Sequence, residues 1–170
     1  MLYGAREGQA IIHGTTMDYV IFGRGQKPLV ILPGLSDGLK TVHGQAAMLA
    51  LYFRQFAQRF RVYIFSRKND LEQGCNIADM ARDQKRALDQ LGIKRAYVMG
   101  VSQGGMIAQR LAIDHPESVE KLVLAVSVSR PNETLETAVC HWVQLAEAND
   151  YRALMIDTCE HTYSPKTLKS

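Results

Sequence analysis

The sequence lacks the features that mark membrane, secreted and nucleic-acid-binding proteins. No apolar run approaches the ~18 residues that a membrane-spanning helix needs, and residues 1–10 hold no apolar core of a signal peptide. Lys and Arg number 20 against 17 Asp and Glu, and the resulting net charge of +3 is scattered along the chain. These absences predict no membrane span and no nucleic-acid partner.

Cysteine is scarce as well. Cys75, Cys140 and Cys159 are odd in number, far apart and outside any CxxC motif. This spacing argues against a disulfide framework and against a zinc site, so we expect neither metal nor cofactor, and a reducing, cytoplasmic location. What is present is an ordinary globular composition, with 46% hydrophobic residues among 170, which allows a sizeable core.

The apolar runs and the turn residues predict an alternating order of strands and helices. Strands are predicted at residues 9–13, 17–22, 29–32, 61–65, 96–99 and 122–126. Helical spacing is untidy over 41–59, clear from the N-cap residue Asn76 to Gly92, clear again over 103–115, and resumes beyond Pro131. Such alternation is typical of an α/β protein with a mostly parallel sheet and helices on both faces.

One motif carries chemistry. Gly100-Val101-Ser102-Gln103-Gly104 matches G-x-S-x-G, and it lies directly between a predicted strand and a predicted helix. That context favours a nucleophile elbow, in which a sharp turn exposes the serine hydroxyl above the sheet, over a plain turn. The glycine patterns of phosphate and dinucleotide loops are absent. The backbone N–H of Gln103, which opens the helix, is then one oxyanion-hole donor for the nucleophile Ser102.

At these residues the sequence resembles the α/β-hydrolase superfamily, and within it the small hydrolases with a helical cap. The resemblance covers about residues 9–130 and rests on Leu32-Pro33-Gly34-Leu35, on Gly100 to Gly105, and on Asp114-His115-Pro116-Glu117 followed by Leu122-Val123-Leu124. It implies the α/β-hydrolase fold, with an N-terminal antiparallel hairpin and a C-terminal part that is incomplete. Residues 1–130 would form the core with its first six strands, and residues 131–170 the start of the cap.

The resemblance also implies a second oxyanion donor, the backbone N–H of Leu35. The sequence departs from the family at two places near the site. Pro33 stands where many relatives carry His, and Ser66-Arg67-Lys68-Asn69 stands where many carry an Asp-x-Arg-Gly turn.

Attack by the serine needs a general base, normally a His oriented by an acid, and in this fold both follow the serine in the chain. The candidates after the serine are poorly placed: His115, His141, His161, Asp150 and Asp157. We therefore expect the chain to stop before its acid and histidine. The strand at 122–126 would then lie on an open edge of the sheet, which predicts self-association.

Three functions stay open at this point. The first is a serine hydrolase that cleaves a small, fairly apolar ester, thioester or lactone through an acyl-enzyme on Ser102. The second keeps the same residues but is a cofactor-free haloperoxidase-like or carbon–carbon bond hydrolase. The third is a catalytically silent chain, because the acid and the histidine are missing.

Overall fold

The computed structural model describes residues 2–35 and 41–168. Its strands are β1 (Arg6–Ile12), β2 (Thr15–Phe22), β3 (Lys27–Leu32), β4 (Phe60–Lys68), β5 (Ala96–Val101) and β6 (Val119–Ala125). Its α-helices are α1 (Ala46–Tyr52), α2 (Ile77–Gln90), α3 (Gln103–Asp114), α4 (Glu133–Glu147), α5 (Tyr151–Thr162) and α6 (Pro165–Leu168).

The six strands form one mixed sheet in the order β1-β2-β4-β3-β5-β6. β1 pairs antiparallel with β2, and β2 pairs antiparallel with β4. The pairs β4–β3, β3–β5 and β5–β6 are all parallel. The predicted fold class, a mostly parallel sheet with an N-terminal antiparallel hairpin, is confirmed.

The sheet separates two apolar cores. Successive side chains of a strand point to opposite faces, and β3 shows this directly. Leu29 and Ile31 belong to the core that includes Ala50 of α1, whereas Val30 and Leu32 belong to the core that includes residues of α2 and α3. Helices therefore cover both faces, as the alternation of elements predicts, and β3 is buried on both.

Helix α2 begins and ends where its local signals indicate. The Asn76 side chain accepts hydrogen bonds from the N–H groups of Ala78 and Asp79, and the Asp79 carboxylate accepts one from the Asn76 N–H. This reciprocal arrangement is a capping box. Gly92 follows the helix with a φ of 69°, a left-handed conformation that favours glycine. The predicted helix from Asn76 to Gly92 is confirmed.

Two predicted elements have different bounds in the structure. The helix predicted over 41–59 is a seven-residue α1 followed by a 3-10 turn at Arg54–Phe56. The strand predicted at 61–65 continues as β4 to Lys68, and so includes the first three of the four residues, 66–69, that stand where many relatives carry a turn. Ser66, Arg67 and Lys68 are all buried. Their polar groups find partners inside the fold, and the strand can therefore extend through them.

Lys68 illustrates how the fold accommodates a buried charge. Its Nζ lies 3.6 Å from an oxygen of the buried Asp83 in α2 and 3.4 Å from an oxygen of Glu72. Burial lowers the pKa of Lys68, but the negative charges of Asp83 and Glu72 outweigh burial and raise the pKa above its ordinary value of 10.5. Lys68 is therefore charged at neutral pH.

The chain divides into two compact units, residues 1–129 and residues 130–170. The second unit contains α4, α5 and α6. Asp157 of α5 joins α5 to α4, because it accepts a hydrogen bond from Trp142 Nε1 at 2.6 Å. Within α5, Asp157 also lies 3.1 Å from His161 Nδ1. None of the helices in the described part of the chain is both long and apolar enough to cross a membrane.

Candidate active site

Ser102 occupies a strained turn between β5 and α3. Its backbone has a φ of 51° and a ψ of −121°, a conformation that a residue with a side chain rarely adopts. Such strain persists only where the surrounding structure fixes it, and it is concentrated at functional sites. Ser102 is exposed. The turn geometry is the one that the G-x-S-x-G motif predicts.

Glycines make the turn possible, because side chains at their positions would collide with backbone. A Cβ atom on Gly100 would meet the carbonyl of Gly104, and a Cβ on Gly104 would meet the carbonyl oxygens of Leu32 and Pro33. These neighbours are main-chain atoms of β3, of the residue after it and of the elbow itself, so they cannot swing aside. The glycines of the motif therefore allow β5, α3 and the loop after β3 to approach closely.

Hydrogen bonds with β6 and with the residues that follow it also stabilise the turn at Ser102. The N–H of Ser102 donates to the carbonyl of Ala125 at 2.9 Å. The hydroxyl of Ser127 donates to the carbonyl of Ser102 at 2.8 Å. Both backbone groups of the strained residue therefore have partners at or just after the end of β6, which fixes the peptide units on either side of Ser102.

The loop after β3 reaches the serine. A Cβ atom on Gly34 would lie 3.3 Å from Ser102 Cβ and 3.8 Å from Ser102 Oγ. Leu35, the predicted second donor, is the next residue, and its side chain is exposed. Gln103, the predicted first donor, is the first residue of α3. The structure thus brings the two chain segments that carry the predicted donors to the same residue, Ser102.

Sequence reasoning missed Arg67. This residue is 4% exposed, and its Nη2 donates to the carbonyl of Pro33 and to Oε1 of Gln103, each at 2.8 Å. The available signal was a charged residue just beyond the apolar strand predicted at 61–65. Its partners lie about 35 residues away on either side in the chain, so no local pattern indicates them.

The histidines of the first unit have other partners or lie elsewhere. His115 is at the far end of α3 from Ser102, with its Nδ1 3.5 Å from Glu117 Oε1. His43 Nδ1 lies 3.2 Å from Glu7 Oε2. Across residues 2–35 and 41–168, no histidine or carboxylate forms a hydrogen bond with the Ser102 hydroxyl.

In the second unit, the two candidate histidines lie beside the carboxylate of Asp157. His141 Nε2 lies 3.8 Å from Asp157 Oδ1, and His161 Nδ1 lies 3.1 Å from Asp157 Oδ2. Asp150 instead caps α5, where its side chain accepts a hydrogen bond from the Ala153 N–H. Among the described residues, no group of three or more His, Cys, Asp or Glu side chains could hold a metal ion.

Comparison with known proteins identifies the family. The model of the family described as alpha/beta hydrolase fold matches residues 27–157. The chain therefore belongs to the α/β-hydrolase family, as its motifs predict. The solved structure of MGS-M2, an α/β-hydrolase enzyme from a deep-sea metagenome library of the Medee basin, superposes with a TM-score of 0.81 at 20% identity. That match covers 94% of this chain and 58% of the other.

Two further similarities have higher sequence identity. A Caulobacter sp. (strain K31) protein that is provisionally named carbamate hydrolase RutD is 31% identical over 122 residues, which are 68% of this chain and 44% of RutD. The structure of Est816, titled an N-acyl homoserine lactone degrading enzyme, is 26% identical with a TM-score of 0.69, over 96% of this chain and 60% of Est816. The chain thus spans less than half the length of its RutD relative.

Proposed function

We propose that this protein is a serine hydrolase that cleaves a small ester, thioester or lactone through an acyl-enzyme on Ser102. The observation that carries the proposal is the strained backbone of Ser102, with a φ of 51°, at the β5–α3 turn of a chain that belongs to the α/β-hydrolase family. The start of α3 adds unpaired N–H groups and a partial positive charge, which stabilise negative charge beside the serine.

The proposed reaction begins when Ser102 Oγ attacks the substrate carbonyl carbon and loses its proton to a general base. The new C–O bond pushes the carbonyl electron pair onto oxygen, and the N–H groups of Leu35 and Gln103 would bind that oxyanion. When this tetrahedral intermediate collapses, it expels the leaving alcohol or thiol, which takes up a proton. Water then hydrolyses the acyl-enzyme and restores the serine hydroxyl.

The chemistry of an oxyanion hole and two of the relatives support the proposed substrate class. An oxyanion hole accepts any acyl carbonyl, and Est816 is described as acting on a lactone, an internal ester. RutD carries the name of a carbamate hydrolase, whose substrate has the same carbonyl centre. We also propose that residues 130–170 are the start of a helical cap, and that the protein is cytoplasmic, as its cysteine usage indicates.

The direct test is covalent labelling of the purified protein with a fluorophosphonate probe. We expect one label on Ser102 and none in Ser102→Ala. The matched control is Ser129→Ala, which removes another exposed serine hydroxyl and should label like the wild type. No labelling of the wild type, or labelling that survives Ser102→Ala, would refute the proposal.

A second candidate is a catalytically silent chain, and one observation favours it. The described residues offer no histidine or carboxylate bonded to the Ser102 hydroxyl, and without a base the rate falls far below that of a complete triad. Hydrolysis of p-nitrophenyl acetate by this chain, if it is lost in Ser102→Ala, would reject silence.

A further inference from the structure

Arg67 joins the two segments that approach Ser102. It lies one residue before the end of β4, the strand next to β3. A single guanidinium nitrogen, Nη2, donates to the carbonyls of Pro33 at 2.8 Å and Gly34 at 3.4 Å, and to Oε1 of Gln103 at 2.8 Å. Hydrogen bonds from a charged donor are stronger than neutral ones, and burial strengthens them further. Arg67 therefore holds the loop after β3 and the start of α3 in one arrangement.

The longer contact with Gly34, at 3.4 Å, favours one direction for the N–H group of Leu35. A trans peptide unit is planar, so its C=O and its N–H point in opposite directions. The carbonyl of Gly34 and the N–H of Leu35 belong to the same peptide unit. Because that carbonyl is turned towards the buried Arg67, the Leu35 N–H is turned away from Arg67. The Pro33 carbonyl has the same effect on the N–H of Gly34.

The contact with Gln103 acts on the other donor. Its side-chain oxygen is held by Arg67, and its backbone N–H directly follows Ser102 in the chain. A rotation of the first turn of α3 would break the 2.8 Å bond between Arg67 Nη2 and Gln103 Oε1. The same guanidinium therefore restrains the residue that carries one donor and the peptide unit that carries the other.

We propose that Arg67 is a positioning residue of the oxyanion hole, which sets the N–H groups of Leu35 and Gln103 for the acyl chemistry of Ser102. This inference rests on the proposed function, because an oxyanion hole has a role only if the serine is the nucleophile. Arg67 does not touch the substrate in this scheme. Its effect is to keep two donors in place before the reaction begins, so that no reorganisation is needed when charge develops.

The test compares Arg67→Met, Arg67→Lys and the wild type by two measurements. The first is the amide NMR resonances of Leu35 and Gln103 in the ¹⁵N-labelled protein, and the second is the rate at which a fluorophosphonate labels Ser102. We expect Arg67→Met to shift both resonances and to slow labelling about 10- to 100-fold, less than the loss of a whole donor. Arg67→Lys should fall between, because an ammonium lacks the planar fork of the guanidinium.

The matched control is Lys68→Met. Lys68 is the next residue of β4 and is also buried, but its partners are Asp83 and Glu72. The Lys68→Met variant should have a lower melting temperature than the wild type. Its amide resonances of Leu35 and Gln103 and its labelling rate should be unchanged. This separates positioning from a general loss of stability. If Arg67→Met does not fold, Arg67→Lys carries the comparison.

The outcomes distinguish the two proposals. A labelled wild type with an unchanged rate in the Arg67 variants overturns the inference and leaves the proposed function standing. An unlabelled wild type refutes the proposed function, and the inference with it. Resonances of Leu35 and Gln103 that move equally in Lys68→Met overturn the positioning role, because the shift is then not specific to Arg67.

Discussion

At the scale of single residues, the packing of Gly105 against Ser127 connects α3 with the chain after β6. A Cβ atom on Gly105 would collide with Cβ and Oγ of Ser127. The same Ser127 hydroxyl donates to the carbonyl of Ser102. The close approach of Gly105 therefore helps to stabilise the turn at Ser102, because a larger residue at position 105 would displace the Ser127 side chain that bonds to Ser102.

The contact between Gly105 and Ser127 leads us to predict how Gly105→Ala changes stability. Alanine favours a helix by about 1 kcal/mol over glycine, but overpacking costs about 1–3 kcal/mol, so we expect a net loss of stability. Ser127→Gly removes both colliding atoms. The double variant should therefore be more stable than the sum of the two single losses, by about 1 kcal/mol. Urea unfolding of the four proteins measures this.

Gly104→Ala is the control for that cycle. Its Cβ would meet the carbonyl oxygens of Leu32 and Pro33, which Ser127→Gly does not move. Gly104→Ala should therefore lose stability equally with and without Ser127→Gly. Additive losses for Gly105→Ala with Ser127→Gly would contradict the packing argument.

At the scale of elements, an ion-pair cluster joins β4 to α2. Lys68 Nζ lies 3.6 Å from Asp83 Oδ2, and Arg86 Nη1 lies 3.1 Å from Asp83 Oδ1. Lys68 and Asp83 are both buried. Removing one partner of a buried pair is destabilising because the other charge stays buried. Here Arg86 remains beside Asp83, which moderates the loss.

We expect Lys68→Met to lower the free energy of unfolding at pH 7 by about 1–3 kcal/mol, below the range for a buried charge left wholly unpaired. The pKa of Lys68 is raised in the folded state, so its contribution is fully present below pH 10.5 and is lost as pH rises through the folded pKa. The gap between wild type and variant should thus stay constant from neutral pH and shrink above pH 10.5. Urea unfolding along a pH series tests this, and a gap that widens there would contradict it.

The elements differ in how far the sequence predicts them. Helix α2 has its cap residue, its apolar face and its terminal glycine within one stretch of chain, so local patterns define it. The end of β4 depends on Pro33, Gln103 and Asp83, which only the fold brings to Arg67 and Lys68. The turn at Ser102 was predictable because its motif is contiguous, whereas the contacts of Arg67 were not because its partners are distant in sequence.

At the scale of the whole molecule, the two edges of the sheet differ. β1 begins with Arg6 and Glu7, and the N–H of Ile11 donates to the side chain of Gln90 at 2.7 Å. β6 pairs with β5 on one side, and Val123 in its middle is 55% exposed. The sequence predicts an apolar strand at 122–126, but its burial depends on neighbours that no local pattern reveals.

An edge strand with exposed apolar side chains is a template for pairing with another chain, and we propose that two copies pair through β6. Self-association should increase with concentration in light scattering, and Val123→Lys should weaken it, because charge on an edge strand opposes pairing. Ile11→Lys is the matched control, since Ile11 is 68% exposed on the opposite edge of the sheet, where its N–H already donates to Gln90, and should leave association unchanged. A monodisperse monomer at all concentrations, or equal effects of the two variants, would refute pairing through β6.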